Sequence, residues 1–142
     1  MPRILLAEDN AADVYLIRAA LKEHGIDCTL QVAADGGQVM RLIHQQESQV
    51  RADAELDLIV LDLNLPRHDG IEILRRLREV ERFTHVPVVV LTSSDSPQDR
   101  IAASELGVAC FLRKPSNLDQ FLSLGAVFRN VLGLAKAQSH EA

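Results

Sequence analysis

The sequence predicts an α/β domain built on one open, doubly wound parallel sheet. Five short aliphatic runs of strand length alternate with five helical stretches along the chain. The central run, Leu58 to Leu61 within D-L-I-V-L-D, is apolar without alternation, as a parallel strand covered on both faces must be. The runs also end in acids, a threonine and a lysine, and the carboxyl ends of such strands are where a sheet of this class collects its ligands.

Each element has its own signal. Ile4 to Ala7 is a short apolar run that ends in Glu8-Asp9, with Asn10 as the N-cap of a helix over about Ala11 to His24. Val14, Ile17 and Leu21 share one face of that helix, and Gly25 stops it. Cys28 to Ala33 reads as the second strand. Asp35 opens a helix whose inner face is Val39, Leu42 and Ile43, and from about Gln45 to Glu55 the pattern dissolves into a long polar connection. After the central strand, turn chemistry at Asn64, Pro66, Asp69 and Gly70 leads into a helix from Gly70 to about Arg82, with Ile73, Leu77 and Val80 inward.

Val86 to Leu91 is the most strand-like run in the chain and ends at Thr92-Ser93-Ser94. Ser96-Pro97-Gln98-Asp99 resembles a capping box in which Asp replaces the usual Glu, and Gly107 ends that helix. Val108 to Leu112 is the fifth strand, followed by Arg113-Lys114-Pro115. Ser116 or Asn117 caps a single last helix, with Leu118, Phe121, Leu122, Gly125, Phe128 and Leu132 on its core side. One domain is expected over residues 1–133, with 134–142 as a frayed tail. Five strand–helix units suit an open sheet in the flavodoxin-like order 2-1-3-4-5 rather than a barrel, with five helices on its faces.

Composition narrows the function. A chain of 142 residues, 47% hydrophobic and 25% charged, holds one ordinary core and has no room for a second. A net charge of −5 argues against a broad nucleic-acid surface. Cys28 and Cys110 lie far apart in apolar runs, as buried free thiols do, with no metal-binding spacing. Neither His24, His44, His68, His85 nor His140 shows ligand spacing. With no signal-peptide pattern and no membrane-spanning run, the expected location is the cytoplasm.

In the order 2-1-3-4-5 the crossover direction reverses between the first and third strands, and the sequence puts Glu8, Asp9 and Asp62 at that crevice. Three converging carboxylates require a hard cation or a proton between them. Mg²⁺ suits such oxygens and bridges carboxylates to phosphoryl groups, with Asp9 and Asp62 as direct ligands, the Asn64 backbone carbonyl reaching back, and Glu8 acting through a water. Thr92 and Lys114 end two further strands with a hydroxyl and an ammonium. Together these groups could neutralise three equatorial oxygens while Asp62 attacks phosphorus in line. Each residue alone has a plainer explanation: β-propensity for Thr92, a solvated charge for Lys114, and helix-dipole chemistry for Glu8-Asp9. Their coincidence at one sheet edge outweighs those explanations.

The pieces L-L-A-E-D-N, V-L-D-L-N-L-P-R-H-D-G, V-V-V-L-T-S-S and C-F-L-R-K-P, in this order, resemble the receiver domain of two-component response regulators over about Arg3 to Gly133. That resemblance implies that Asp62 takes a phosphoryl group from a phosphohistidine of a sensor histidine kinase, with Mg²⁺ held at Glu8, Asp9, Asp62 and the Asn64 carbonyl. It assigns Thr92 and Lys114 to the phosphoryl oxygens and implies a cis Lys114–Pro115 bond. It also implies a switch in which Thr92 moves and an aromatic of the fifth strand swings inward. That aromatic is Phe111, which can couple sterically but has no hydroxyl, and Ser93 beside the switch threonine leaves the site accessible.

No output domain is expected after the last helix, so the signal would leave through a partner or a homodimer. The polar connection, D-L-N-L-P and C-F-L-R-K-P resemble single-domain regulators serving phytochrome-type kinases, which implies a dimer through the fourth helix, fifth strand and fifth helix. Other readings stay open: a phosphate shuttle or sink for a histidine phosphotransfer protein, an aspartyl-phosphate hydrolase, or a nucleotide binder. The hydrolase expects a second Asp two residues after the nucleophile, where Asn64 stands. The nucleotide binder expects a Gly- or Ser/Thr-rich loop where Glu8-Asp9-Asn10 stands.

Overall fold

A computed structural model describes residues 1–47 and 55–133. The strands are β1 (Arg3–Ala7), β2 (Thr29–Ala33), β3 (Leu58–Leu61), β4 (Val88–Thr92) and β5 (Cys110–Arg113). They pair in parallel in the order β2-β1-β3-β4-β5, as the sequence predicts. The helices are α1 (Ala11–Glu23), α2 (Gly36–Glu47), α3 (Gly70–Glu79), α4 (Pro97–Glu105), α5 (Leu118–Leu122) and α6 (Leu124–Val131).

Strand periodicity divides the core into two layers. Leu5 and Ala7 of β1, Ile59 and Leu61 of β3, and Val88 and Val90 of β4 face one way, packing with Val39 and Ile43 of α2, Ile73, Leu74 and Leu77 of α3, and Ala103 of α4. The alternate residues Ile4, Leu6, Leu58, Val60, Val89 and Leu91 face Ile17 and Leu21 of α1 and Phe121, Leu124 and Phe128 of α5 and α6. The absence of alternation in β3 is thus the signature of burial on both sides, with all four residues buried.

The structure corrects several local expectations. Helix α3 stops at Glu79, and Glu81–Phe83 forms a separate 3-10 turn. Arg78 holds that corner by donating to the carbonyls of Leu106 (2.9 Å), Phe83 (3.0 Å) and Val86 (2.8 Å). The expected single last helix is broken at Ser123, whose hydroxyl donates to the Gln120 carbonyl at 2.6 Å and so competes for the helical ladder. Leu118, expected in the core, is 59% exposed: it is the first residue of the short α5, whose inward position is taken by Phe121, three residues on and buried. Asn117, rather than Ser116, caps that helix, accepting from the Gln120 N–H at 2.9 Å. The capping box at α4 is only half formed. Ser96 accepts from the Asp99 N–H, but the short Asp99 side chain takes the Ser94 hydroxyl at 2.9 Å instead of reaching back to Ser96.

Both cysteines are free but only half-buried. The polar connection lies largely, and the 134–142 tail wholly, outside the described residues. Among the described residues no helix is long and apolar enough to cross a membrane.

Candidate phosphoryl site

Parallel register brings the site together. Ala7 of β1 is paired with Leu61 of β3, so Glu8 and Asp62 each stand one residue beyond matched strand ends. The Asp62 N–H donates to the Ala7 carbonyl at 3.0 Å and fixes that offset. On the other side Thr92 is paired with Arg113, and the Lys114 N–H extends the ladder to the Thr92 carbonyl at 2.8 Å. Glu8, Asp62 and Thr92 are the polar side chains buried among the described residues, and all three lie at this one edge.

One carboxylate oxygen each from Glu8, Asp9 and Asp62 lies within 4.8 Å of the others, with Asp9 exposed at the mouth and the other two buried. Hard oxygen donors at that separation fit Mg²⁺ or a similar divalent ion, and a cluster this acidic needs positive charge. Lys114 supplies part of it. Its ammonium donates to Glu8 Oε1 (2.8 Å), Asp62 Oδ2 (2.9 Å) and Asp13 Oδ2 (2.7 Å), using all three N–H groups. Burial raises the Glu8 carboxyl to about 7 against the pull of Lys114 and the Asn10 N–H. Burial by itself would lower the Lys114 ammonium, yet hydrogen bonds to Asp13, Glu8 and Asp62 outweigh it and hold the group above its ordinary range.

The loop after β3 is shaped by the alternation Leu63-Asn64-Leu65. Both leucines are buried, at 5% and 6% exposure, which turns Asn64 between them toward the strand edge. Its N–H donates to Asp62 Oδ1 at 3.0 Å, and its amide donates to Thr92 Oγ1 and Ser93 Oγ, each at 3.3 Å. Thr92 Oγ1 also accepts from the Ser94 N–H at 3.2 Å, so its hydroxyl proton remains to be donated. Gly70 closes the loop beneath Leu63: a Cβ there would lie 2.3 Å from Leu63 Cα.

The structure therefore brings Glu8, Asp9, Asp62, Asn64, Thr92 and Lys114 to one edge. Phe111 stands apart, half-buried in β5, with the Arg100 guanidinium 4.6 Å from its ring centre. The implied cis bond is not found. Lys114–Pro115 is trans, the form an X–Pro bond favours by about 0.5–1 kcal/mol, and the lysine reaches Asp62 from it. Asp13 is the residue that sequence reasoning missed. An acid in the first turn of a helix is ordinary dipole chemistry, and its place one turn after Asp9 was the single available signal.

Comparison with known proteins places these features in a family. The response regulator receiver domain family matches residues 4–124. Response regulator Rcp1 of Synechocystis sp. is 40% identical over 121 residues, covering 85% of this chain and 82% of that protein. The chain spans about half the length of other curated relatives that it matches. The crystal structure of the phosphorylated cyanobacterial phytochrome response regulator RcpA superposes with a TM-score of 0.79 at 34% identity, over 91% of each chain. The Mn²⁺-bound form of Rcp1 superposes with a TM-score of 0.76 at 35% identity, over 92% of this chain and 93% of that one.

Proposed function

The chain belongs to the response regulator receiver family, and from that premise we propose that Asp62 is its phosphoacceptor. It is a response regulator of two-component signalling, in which phosphorylation-dependent switching is general. A carboxylate oxygen of Asp62 attacks the phosphorus of a phosphohistidine on a sensor histidine kinase. The P–N bond breaks, its electron pair returns to the imidazole, and Asp62 becomes an acyl phosphate. Lys114, with its Nζ 2.9 Å from Asp62 Oδ2, neutralises charge on the transferring group, and Thr92 donates its hydroxyl to a phosphoryl oxygen. Bound at Glu8, Asp9, Asp62 and the Asn64 carbonyl, Mg²⁺ would offset the charge of the phosphoryl oxygens. The observation that carries this reading is the convergence of the three carboxylates on the buried Lys114 ammonium.

The chain then catalyses only its own phosphorylation and dephosphorylation, as one domain over residues 1–133 working in the cytoplasm. The likeness to RcpA and Rcp1 supports a phytochrome-type kinase as the phosphodonor, directly or through a histidine phosphotransfer protein. Phosphorylation would shift Thr92 and let Phe111 turn inward, altering the face made by α4, β5 and the last helix, here α5 and α6. Ile101 and Leu118 are each 59% exposed there, which supports homodimerisation through that face. Sedimentation with and without phosphorylation tests it, and a monomer under both conditions would count against it. The phosphoacceptor itself is tested by intact-protein mass after incubation with Mg²⁺ and acetyl phosphate. One phosphoryl adduct that requires Mg²⁺ and disappears in Asp62→Ala is expected; an adduct that survives in Asp62→Ala would refute the assignment.

A further inference from the structure

Lys114 has one partner that the phosphoryl chemistry does not use. Of its three acceptors, Glu8 and Asp62 belong to the oxygens gathered within 4.8 Å of one another, and Asp13 does not. Yet Asp13 makes the shortest of the three contacts, at 2.7 Å, and is itself only 18% exposed. It is held in place independently, because its N–H is capped by Asn10 Oδ1 at 3.1 Å in the first turn of α1. The contact spans 101 residues of sequence and ties α1 to the loop after β5.

An ammonium has three N–H groups, and here all three are occupied. To donate to a phosphoryl oxygen, Lys114 must release one acceptor. Glu8 and Asp62 are the two that would change during the reaction, one drawn toward a bound cation and the other converted to an acyl phosphate. Asp13 alone can keep its bond throughout. A lysine is a point charge on a flexible four-carbon stem, so without a constant acceptor the ammonium would have to be gathered in again for each reaction.

We propose that Asp13 is a positioning residue that anchors Lys114 at the phosphoryl site while its other two acceptors are exchanged. This rests on Asp62 being the phosphoacceptor. Asp13 acts through Lys114 and touches neither the phosphoryl group nor the cation.

The test compares wild type, Asp13→Asn, Asp13→Ala and Lys114→Met, and Asp13→Ala combined with Lys114→Met. Two readouts are taken: the initial rate of the phosphoryl adduct from acetyl phosphate at saturating Mg²⁺, and hydrogen exchange of the Lys114 ammonium by ¹⁵N NMR with Mg²⁺ alone. Asp13→Ala is expected to slow phosphorylation by about tenfold, less than the ~10²-fold that a 1 Å misplacement of a catalytic group can cost, because Glu8 and Asp62 still attract the ammonium. Asp13→Asn, which keeps an oxygen acceptor without its charge, should fall between. The Lys114 ammonium should be protected in wild type with Mg²⁺ bound and exchange rapidly in Asp13→Ala. In the Lys114→Met background, Asp13→Ala should add nothing. An equally protected ammonium and a wild-type rate in both Asp13 variants would overturn the proposal, as would a further loss in the double variant. If Asp13→Ala does not fold, Asp13→Asn carries both readouts. A wild type that forms no adduct would fail the phosphoacceptor reading instead, and the ammonium exchange would still decide the anchor.

Discussion

Replacing Lys114 with methionine keeps the aliphatic stem and removes the charge. Three charge-assisted hydrogen bonds of 2.7–2.9 Å vanish, and the carboxylates of Glu8 and Asp62 are left buried with no cation between them. Removing one partner of a buried ionic group costs on the order of 3–5 kcal/mol. Asp13 reaches water and can rehydrate, so the lower end applies, about 3 kcal/mol, or roughly 10 °C in melting temperature at about 3 °C per kcal/mol. The loss should be largest with chelator present. Millimolar Mg²⁺ should restore most of it, because a cation bound by Glu8, Asp9 and Asp62 does the electrostatic work the ammonium did. Urea unfolding followed by circular dichroism, with EDTA and with Mg²⁺, measures both. A variant as stable as wild type in EDTA, or an equal deficit under both conditions, would refute the electrostatic account of the site.

Metal-free protein should lose stability as pH rises from about 4.5 to about 7. The Glu8 carboxyl is raised in the folded state, so the fold binds its proton more tightly than the unfolded chain does, and that advantage disappears as the pH passes through 7. Denaturation across this range in EDTA should show the decline, and Glu8→Gln should flatten it; an unchanged slope in the variant would contradict the assignment. Gly70→Ala should destabilise by about 1–3 kcal/mol, because its Cβ would meet Leu63 backbone atoms at 2.3 and 2.8 Å. It should also slow adduct formation, since the displaced loop carries Asn64; a normal rate at lowered stability would separate the two. Asn64→Ala should lengthen the phosphoryl lifetime severalfold if the amide helps to orient the hydrolytic water, and a time course of adduct loss that matches wild type would remove that role.

The fold was readable in the sequence wherever burial imposes a period. Leu58–Leu61 and Val86–Leu91 read as covered parallel strands, and their ends located Asp62 and Thr92, as the ends of the shorter runs Ile4–Ala7 and Val108–Leu112 located Glu8 and Lys114. What escaped were choices decided by single hydrogen bonds between alternatives of similar energy. Asp99 turning to Ser94 and the Ser123 hydroxyl interrupting the last helix belong to that class, and the choice of Asn117 over Ser116, both offered as caps by the sequence, was left open for the same reason. Asp13 escaped for a different reason. Its role depends on the crossing of α1 past the loop after β5, 101 residues away, and no local pattern distinguishes a first-turn acid that meets a lysine from one that meets solvent.

The most direct test of the central claim is chemical localisation of the phosphoryl group. An acyl phosphate on a carboxylate is reduced by borohydride to the alcohol, so protein treated with acetyl phosphate and Mg²⁺, then borohydride, can be digested and sequenced by mass spectrometry. Homoserine at position 62, formed only when Mg²⁺ is present, is the result predicted here. Homoserine at another aspartate, or a phosphoryl group found on a histidine, serine or threonine with position 62 unmodified, would contradict it.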